Sequence, residues 1–89
     1  MKQEEIRKLY SFLLPELDKK VAKNQKYKET RKLCDKLEEE LKVFIGKDGY
    51  RKFENFMDEY IYLASIANEE YFVQGFSKAN KLRDESLMR

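Results

Sequence analysis

Three observations in this 89-residue sequence predict an all-α protein. Apolar residues recur at spacings of three and four along most of the chain, which is the period of an amphipathic helix. No alternation of apolar and polar residues is long enough to predict a strand. The helix-breaking residues are few, one proline and three glycines, so long helices can form between them. We therefore expect a short N-terminal helix followed by an antiparallel helical hairpin with a long C-terminal helix.

The first segment predicts a helix over about residues 2–13. Pro15 lacks a backbone donor and crowds the preceding turn, so we expect a kink or an end there and a break near residues 14–24. Asn24 is a candidate cap or loop residue. The apolar face of this segment follows the helical spacing i, i+3, i+4, i+7, i+8 and i+11 and consists of Ile6, Leu9, Tyr10, Leu13, Leu14 and Leu17.

The second helix is expected over about residues 25–45, followed by a turn at 46–49. Gly46 fits a helix stop in the left-handed region of backbone conformation. A turn this short makes an antiparallel hairpin the default geometry, with a long third helix over about residues 49–86. The second helix carries a narrow coiled-coil-like seam made of Tyr27, Leu33, Cys34, Leu37, Leu41, Phe44 and Ile45. The length predicts one domain, residues 1–89.

The third helix is longer than the helix expected to pack against it. At 1.5 Å per residue it spans on the order of 55 Å, and the second helix spans about 30 Å. Its apolar stripe continues through Phe72, Phe76 and Leu82, and an uncovered stripe of that length would lower solubility. We expect the N-terminal helix to cover part of it and a homodimer to complete the bundle.

A glycine inside the third helix marks a candidate packing site. Gly75 costs about 1 kcal/mol relative to alanine at a helix interior, and it lies one turn from Ala79. The two small residues form a flat strip, which favours a helix crossing over a ligand site. We expect the N-terminal helix or a second copy of the chain to contact this strip. The candidate interface residues are Gly75, Ala79, Tyr71, Phe72, Phe76 and Leu82.

Charge is unevenly distributed, although the net charge is only +2. Residues 1–33 hold ten basic and five acidic side chains, and residues 34–76 hold five basic and ten acidic ones, so the centre and the ends attract each other. The most basic stretch offers salt-sensitive phosphate contacts to a nucleic acid. A solvated surface that complements the acidic centre is the favoured interpretation. The basic residues are Lys19, Lys20, Lys23, Lys26, Lys28, Arg31 and Lys32.

The residue inventory excludes most enzyme classes. Because the chain has no histidine and one cysteine, it lacks the ligands of a tetrahedral zinc or helical di-iron site. It contains no glycine-rich phosphate loop, and Cys34, without a histidine base, is expected in the core or at its boundary. We expect no catalytic, cofactor-binding or metal-binding residues and no small-molecule substrate. The single cysteine and the lack of a long apolar run favour a cytoplasmic protein with no membrane contact.

Several short motifs, taken together, resemble a known family. They are Leu9-Tyr10, Pro15, the Glu-rich helix with Leu33, Leu37 and Leu41, and the ending Glu69-x-x-Phe72-x-x-Gly75-Phe76. The chain is similar to a family of small, functionally uncharacterised helical proteins of Gram-positive bacteria and their phages and mobile elements. Ala79 stands where that family often has a glycine. The resemblance implies an all-α fold and a bacterial or phage origin, and it implies no activity.

These observations together favour a non-enzymatic protein-interaction module. We expect a homodimer that acts on a protein partner as an adaptor, inhibitor or regulator. Nucleic-acid association through the basic stretch 19–32 is the alternative, and it predicts binding that weakens steeply with salt.

Overall fold

The computed structural model describes residues 2–87, which form two α-helices and contain no strand. Helix α1 spans Gln3–Lys23, and helix α2 spans Gln25–Leu87 with one non-helical residue inside it, Gly46. The prediction of an all-α protein is confirmed.

Helix α1 continues through Pro15, where the sequence predicts a break. It ends at Lys23, so the expected end near residue 13 and the expected break at 14–24 are wrong. Pro15 removes the donor that would pair with the carbonyl of Ser11. Both residues are exposed, so water can bind that carbonyl in place of the missing N–H. The helix therefore tolerates the proline on its solvent side.

Asn24 separates the two helices and caps the second one. The backbone N–H of Tyr27 donates to Asn24 Oδ1 at 2.9 Å, and the N–H of Lys28 donates to the Asn24 carbonyl at 3.0 Å. A side-chain cap of this kind contributes about 1 kcal/mol to helix stability. The expected cap at Asn24 and the helix start at about residue 25 are both confirmed.

Gly46 divides α2 into an N-terminal arm, residues 25–45, and a C-terminal arm, residues 47–87. Its backbone has φ 77° and ψ 176°, a region that is essentially restricted to glycine. The positive φ expected at this helix stop is confirmed, whereas ψ is extended rather than left-handed helical. The expected turn at 46–49 is reduced to one residue because this single conformation already interrupts the helix.

The described chain forms two compact units. Unit 1 combines residues 2–15 with residues 63–87, and unit 2 consists of residues 16–62. Both fully buried apolar side chains, Ile6 and Val73, belong to unit 1. The single domain expected from the length stays a prediction.

Within unit 1, the apolar face expected for α1 is the side that is covered. Ile6 is fully buried, and the rings of Tyr10 and Phe72 lie 5.1 Å apart between centroids. Phe12, which is outside that face, is 81% exposed. The expectation that the N-terminal helix covers part of the C-terminal stripe is therefore confirmed at Phe72.

Two glycines of α2 should respond in opposite ways to alanine. Gly46→Ala should lower the free energy of unfolding by about 1–3 kcal/mol, because an L-residue is strained at this φ and ψ. Gly75→Ala should raise it by about 1 kcal/mol, since a Cβ at position 75 meets no atom within 4 Å. Urea unfolding followed by circular dichroism measures both changes. Effects of the same sign would contradict the different backbone states of the two glycines.

Candidate interaction surfaces

An ion-pair cluster joins α1 to the C-terminal arm within unit 1. Arg7 Nη1 donates to Glu69 Oε2 at 3.1 Å, and Arg7 Nη2 donates to Glu70 Oε2 at 2.9 Å. Gln74 Nε2 donates to Glu70 Oε1 at 3.0 Å. The hydrogen bonds from Gln74 and Arg7 lower the pKa of the Glu70 carboxyl below its ordinary value. The cluster is an instance of the expected attraction between the basic N-terminal segment and the acidic centre.

The predicted interface residues lie on two different sides of the C-terminal arm. Phe72 and Phe76 are half-buried, and their stacked rings lie 5.8 Å apart between centroids. The other four are exposed and recur at i, i+4, i+8 and i+11, so they share one side of the helix. We name these four the exposed strip: Tyr71, Gly75, Ala79 and Leu82.

The N-terminal helix does not cross the exposed strip. No atom lies within 4 Å of a Cβ built at Gly75, and Tyr71 is 76% exposed. Of the two contacts expected for this strip, α1 is therefore excluded at Gly75, because the covered side of the arm is the one that carries Phe72 and Val73. Contact of the strip with a second copy of the chain stays a prediction.

The two arms of α2 contact each other within unit 2. Tyr50 Oη donates to Glu38 Oε1 at 2.5 Å, and Lys42 Nζ lies 5.0 Å from the centroid of the Tyr50 ring. The hydrogen bond to Glu38 is the main cause that raises the pKa of Tyr50 to about 12, followed by desolvation and the nearby carboxylates. A polar contact thus holds residues on either side of Gly46 together.

An apolar cavity lies between the arms of unit 2. It has a volume of about 240 Å³ and is lined by Cys34, Leu37, Glu38, Leu41, Phe53 and Met57. Cys34 is exposed, so it lies at the boundary of this region and not in a core. Two further cavities of about 260 Å³ each share Tyr50 and Glu54. Charged side chains are four of the five lining residues in one cavity and three of the seven in the other.

Apolar side chains flank the 240 Å³ cavity on both arms. Leu37 and Phe53 line it directly, and each belongs to a row at helical spacing, residues 33, 37 and 44 on one arm and 53, 56 and 60 on the other. The rings of Phe56 and Tyr60 stack at 5.9 Å between centroids. We name this set the apolar face: Leu33, Leu37, Phe44, Phe53, Phe56 and Tyr60. Apart from half-buried Phe53, its members are 52% to 87% exposed.

The basic stretch is exposed at the end of α1 and the start of α2. All seven of its residues, Lys19, Lys20, Lys23, Lys26, Lys28, Arg31 and Lys32, are exposed. Arg31 donates to Tyr27 Oη at 3.3 Å and lies 3.6 Å from the Asp35 carboxylate. The stretch is therefore solvated, and one of its charges is paired locally.

Metal-ligand clusters and membrane-spanning helices are both absent from the part of the chain that the structure describes. Among residues 2–87, no group of three or more His, Cys, Asp or Glu side chains could hold a metal ion. No helix in that range is long and apolar enough to cross a membrane.

Comparison with known proteins adds one finding. Residues 2–85, which include both surfaces and the ion-pair cluster, match the family of unknown function DUF6809. The chain belongs to DUF6809. No curated protein and no solved structure matches it. The expected resemblance to a functionally uncharacterised family is confirmed by DUF6809, and the Gram-positive or phage origin stays a prediction.

The Tyr50–Glu38 hydrogen bond should be visible in an alkaline titration. One of the six tyrosines should ionise at about pH 12 instead of its ordinary 10.0, measured by ultraviolet absorbance of phenolate. Because the folded-state pKa is raised, the stability from this contact is complete below pH 10.0 and is lost as the pH rises towards 12. Glu38→Gln should return the pKa of Tyr50 towards its ordinary value, and an unchanged titration curve would contradict the contact.

The Glu70 cluster should make unit 1 sensitive to acid. The pKa of the Glu70 carboxyl is lowered from the ordinary 4.5. The contribution of this carboxylate to the free energy of unfolding is therefore present above pH 4.5 and is lost as the pH falls through the lower folded-state pKa. Thermal unfolding at several acidic pH values should show a smaller loss of melting temperature for Glu70→Gln than for the unchanged chain. Glu85→Gln, at an exposed position, serves as the control. Identical pH profiles for all three chains would refute the role of Glu70.

Proposed function

We propose that this chain is a non-enzymatic protein-interaction module that acts as a homodimer. In this proposal it serves as an adaptor, inhibitor or regulator of a protein partner in the cytoplasm, and it is of bacterial or phage origin. The two arms of α2 form an antiparallel hairpin that becomes part of a bundle when two copies associate. No cofactor and no small-molecule substrate takes part.

The observation that carries this proposal is the imbalance between exposed and buried apolar side chains. Among the described residues, Ile6 and Val73 are the fully buried apolar side chains, whereas sixteen large apolar side chains are at least 43% exposed. Apolar surface of this extent on a small helical protein is typical of interaction sites. Tyrosine and phenylalanine, which are frequent anchors of protein interfaces, account for several of them.

The chain offers two separate surfaces for such contacts. The apolar face of unit 2 is the larger one and carries four aromatic rings, of which Phe53 lines the 240 Å³ cavity. The exposed strip of unit 1 is smaller and combines Tyr71 and Leu82 with two small residues that allow close approach of another helix.

Multi-angle light scattering tests the homodimer. In the presence of reductant, which excludes a Cys34 disulfide, we expect a mass of twice 10.8 kDa that falls to the single-chain value on dilution. A strictly monomeric chain over the whole soluble concentration range would refute the homodimer.

Nucleic-acid association is the second candidate function. It is favoured by one observation, the exposure of all seven residues of the basic stretch. Fluorescence anisotropy with a short duplex DNA and with a single-stranded RNA, at low and at physiological salt, measures it. Binding that weakens steeply with salt and is lost in a Lys19→Gln, Lys20→Gln, Lys23→Gln variant would support this function, and no binding at low salt would exclude it.

A further inference from the structure

Unit 2 has little buried surface of its own. Among residues 16–62, no side chain is buried, and the most covered ones, such as Leu41, Phe53 and Met57, are half-buried. Two helical arms without a buried core are not expected to hold together in water, because most helix stability in proteins comes from packing of an apolar face. Unit 2 therefore requires another surface that packs against its exposed apolar side chains, and that surface must be present wherever the chain itself is present.

The apolar face has the area that such a cover needs. Its five members that are 52% to 87% exposed present about 600 Å² in one chain, since an aromatic side chain alone offers about 150–250 Å². Burial of this face on two chains removes about 1,200 Å², which is the size at which specific, stable protein interfaces begin. The rim and the 240 Å³ cavity beside Leu37 and Phe53 add to that area.

The charge of this part of the chain permits contact with an identical surface. Residues 25–62 carry nine basic and nine acidic side chains, so two copies approach without net repulsion. Charged side chains also line the two cavities that contain Glu54, whereas Glu38 is the one charged residue that lines the apolar cavity. A strongly charged partner would find no opposite net charge on residues 25–62.

We propose that the apolar face of unit 2 is the homodimer contact, and that it packs against the same face of a second copy of this chain. The contact is twofold symmetric, so each copy buries the same six side chains and the two pairs of arms form a four-helix bundle. Leu37 and Phe53 of each copy are covered together with the cavity that they line. This inference rests on the proposed homodimer and specifies which surface forms it.

A second copy is the occupant because it satisfies the requirement for constant cover. A partner of different sequence would leave unit 2 uncovered whenever that partner was absent or scarce. A second copy is present in proportion to the chain, and self-complementary apolar surfaces without net charge are typical of homodimers. The cover by a second copy thus accounts for both the missing core and the exposed rings.

Cys34 provides a native probe of this contact. Its thiol is exposed in the single chain and lines the cavity beside Leu37, so the proposed contact covers it. The second-order rate constant for maleimide labelling of the unsubstituted 89-residue chain should therefore fall by about tenfold or more as the protein concentration rises from below to above the dimer dissociation constant. This measurement needs no substitution and does not depend on a variant that folds.

Three variants separate this surface from the others. Leu37→Lys buries a charge in the contact and should raise the dimer dissociation constant by about a hundredfold. Val43→Lys, on another side of the same arm at a position that is 86% exposed, should change it by less than about twofold. Gly75→Leu, on the exposed strip, should also leave it unchanged. Light scattering across a dilution series gives the constants, and circular dichroism above each variant's dissociation constant shows that its dimer is folded.

The outcomes distinguish the face from the homodimer itself. Thiol protection together with selective weakening by Leu37→Lys supports the proposal. A dimer in which Cys34 stays fully reactive, or which Gly75→Leu dissociates and Leu37→Lys does not, overturns this face and leaves the proposed homodimer intact. A monomeric chain overturns both the proposed face and the proposed homodimer. In that case the surface that packs against unit 2 belongs to the same chain or to a different protein.

Discussion

The packing of α1 against the C-terminal part of α2 is the contact on which unit 1 depends. Ile6 and Val73, both fully buried, lie on segments that are more than sixty residues apart in the sequence. Closing such a long loop is entropically unfavourable, and the surrounding contacts offset that loss. The Tyr10–Phe72 ring pair adds apolar area, and Arg7 adds two hydrogen bonds to carboxylates on consecutive residues. The ion pairs are partly exposed, so they specify register more than they add stability.

Local signals in the sequence identify the helices well. The spacing from Ile6 to Leu17 identifies the covered side of α1, Asn24 identifies the start of α2, and the positive φ of Gly46 follows from its place at a predicted helix end. Pro15 is the instructive exception, because a rule about the missing donor does not include the water that can replace it at an exposed position. At residues 46–49 the sequence predicts a turn of several residues, whereas the conformation of Gly46 alone interrupts the helix.

The candidate surfaces are less accessible to sequence analysis because they depend on which side of a helix is covered. Helical spacing alone separates Tyr71 and Gly75 from Phe72 and Phe76. It does not say which pair contacts α1, and the small residues Gly75 and Ala79 lie on the side that α1 leaves exposed. The ion pair between Arg7 and the Glu69–Glu70 dipeptide has a weak signal in the opposite charges of the N-terminal and central segments. The Tyr50–Glu38 bond has none, because it requires knowledge of how residues on either side of Gly46 are aligned.

Gly46 also has a stereochemical consequence. The mirror image of its backbone conformation, φ 77° and ψ 176°, lies in the extended region that ordinary L-residues occupy without strain. The joint between the arms of α2 therefore has the handedness of a D-amino acid, and glycine is the one encoded residue that can imitate it. In a chain made by chemical ligation, D-alanine at this position would preserve the joint and remove conformational freedom from the unfolded chain. L-alanine would be strained in the same backbone conformation.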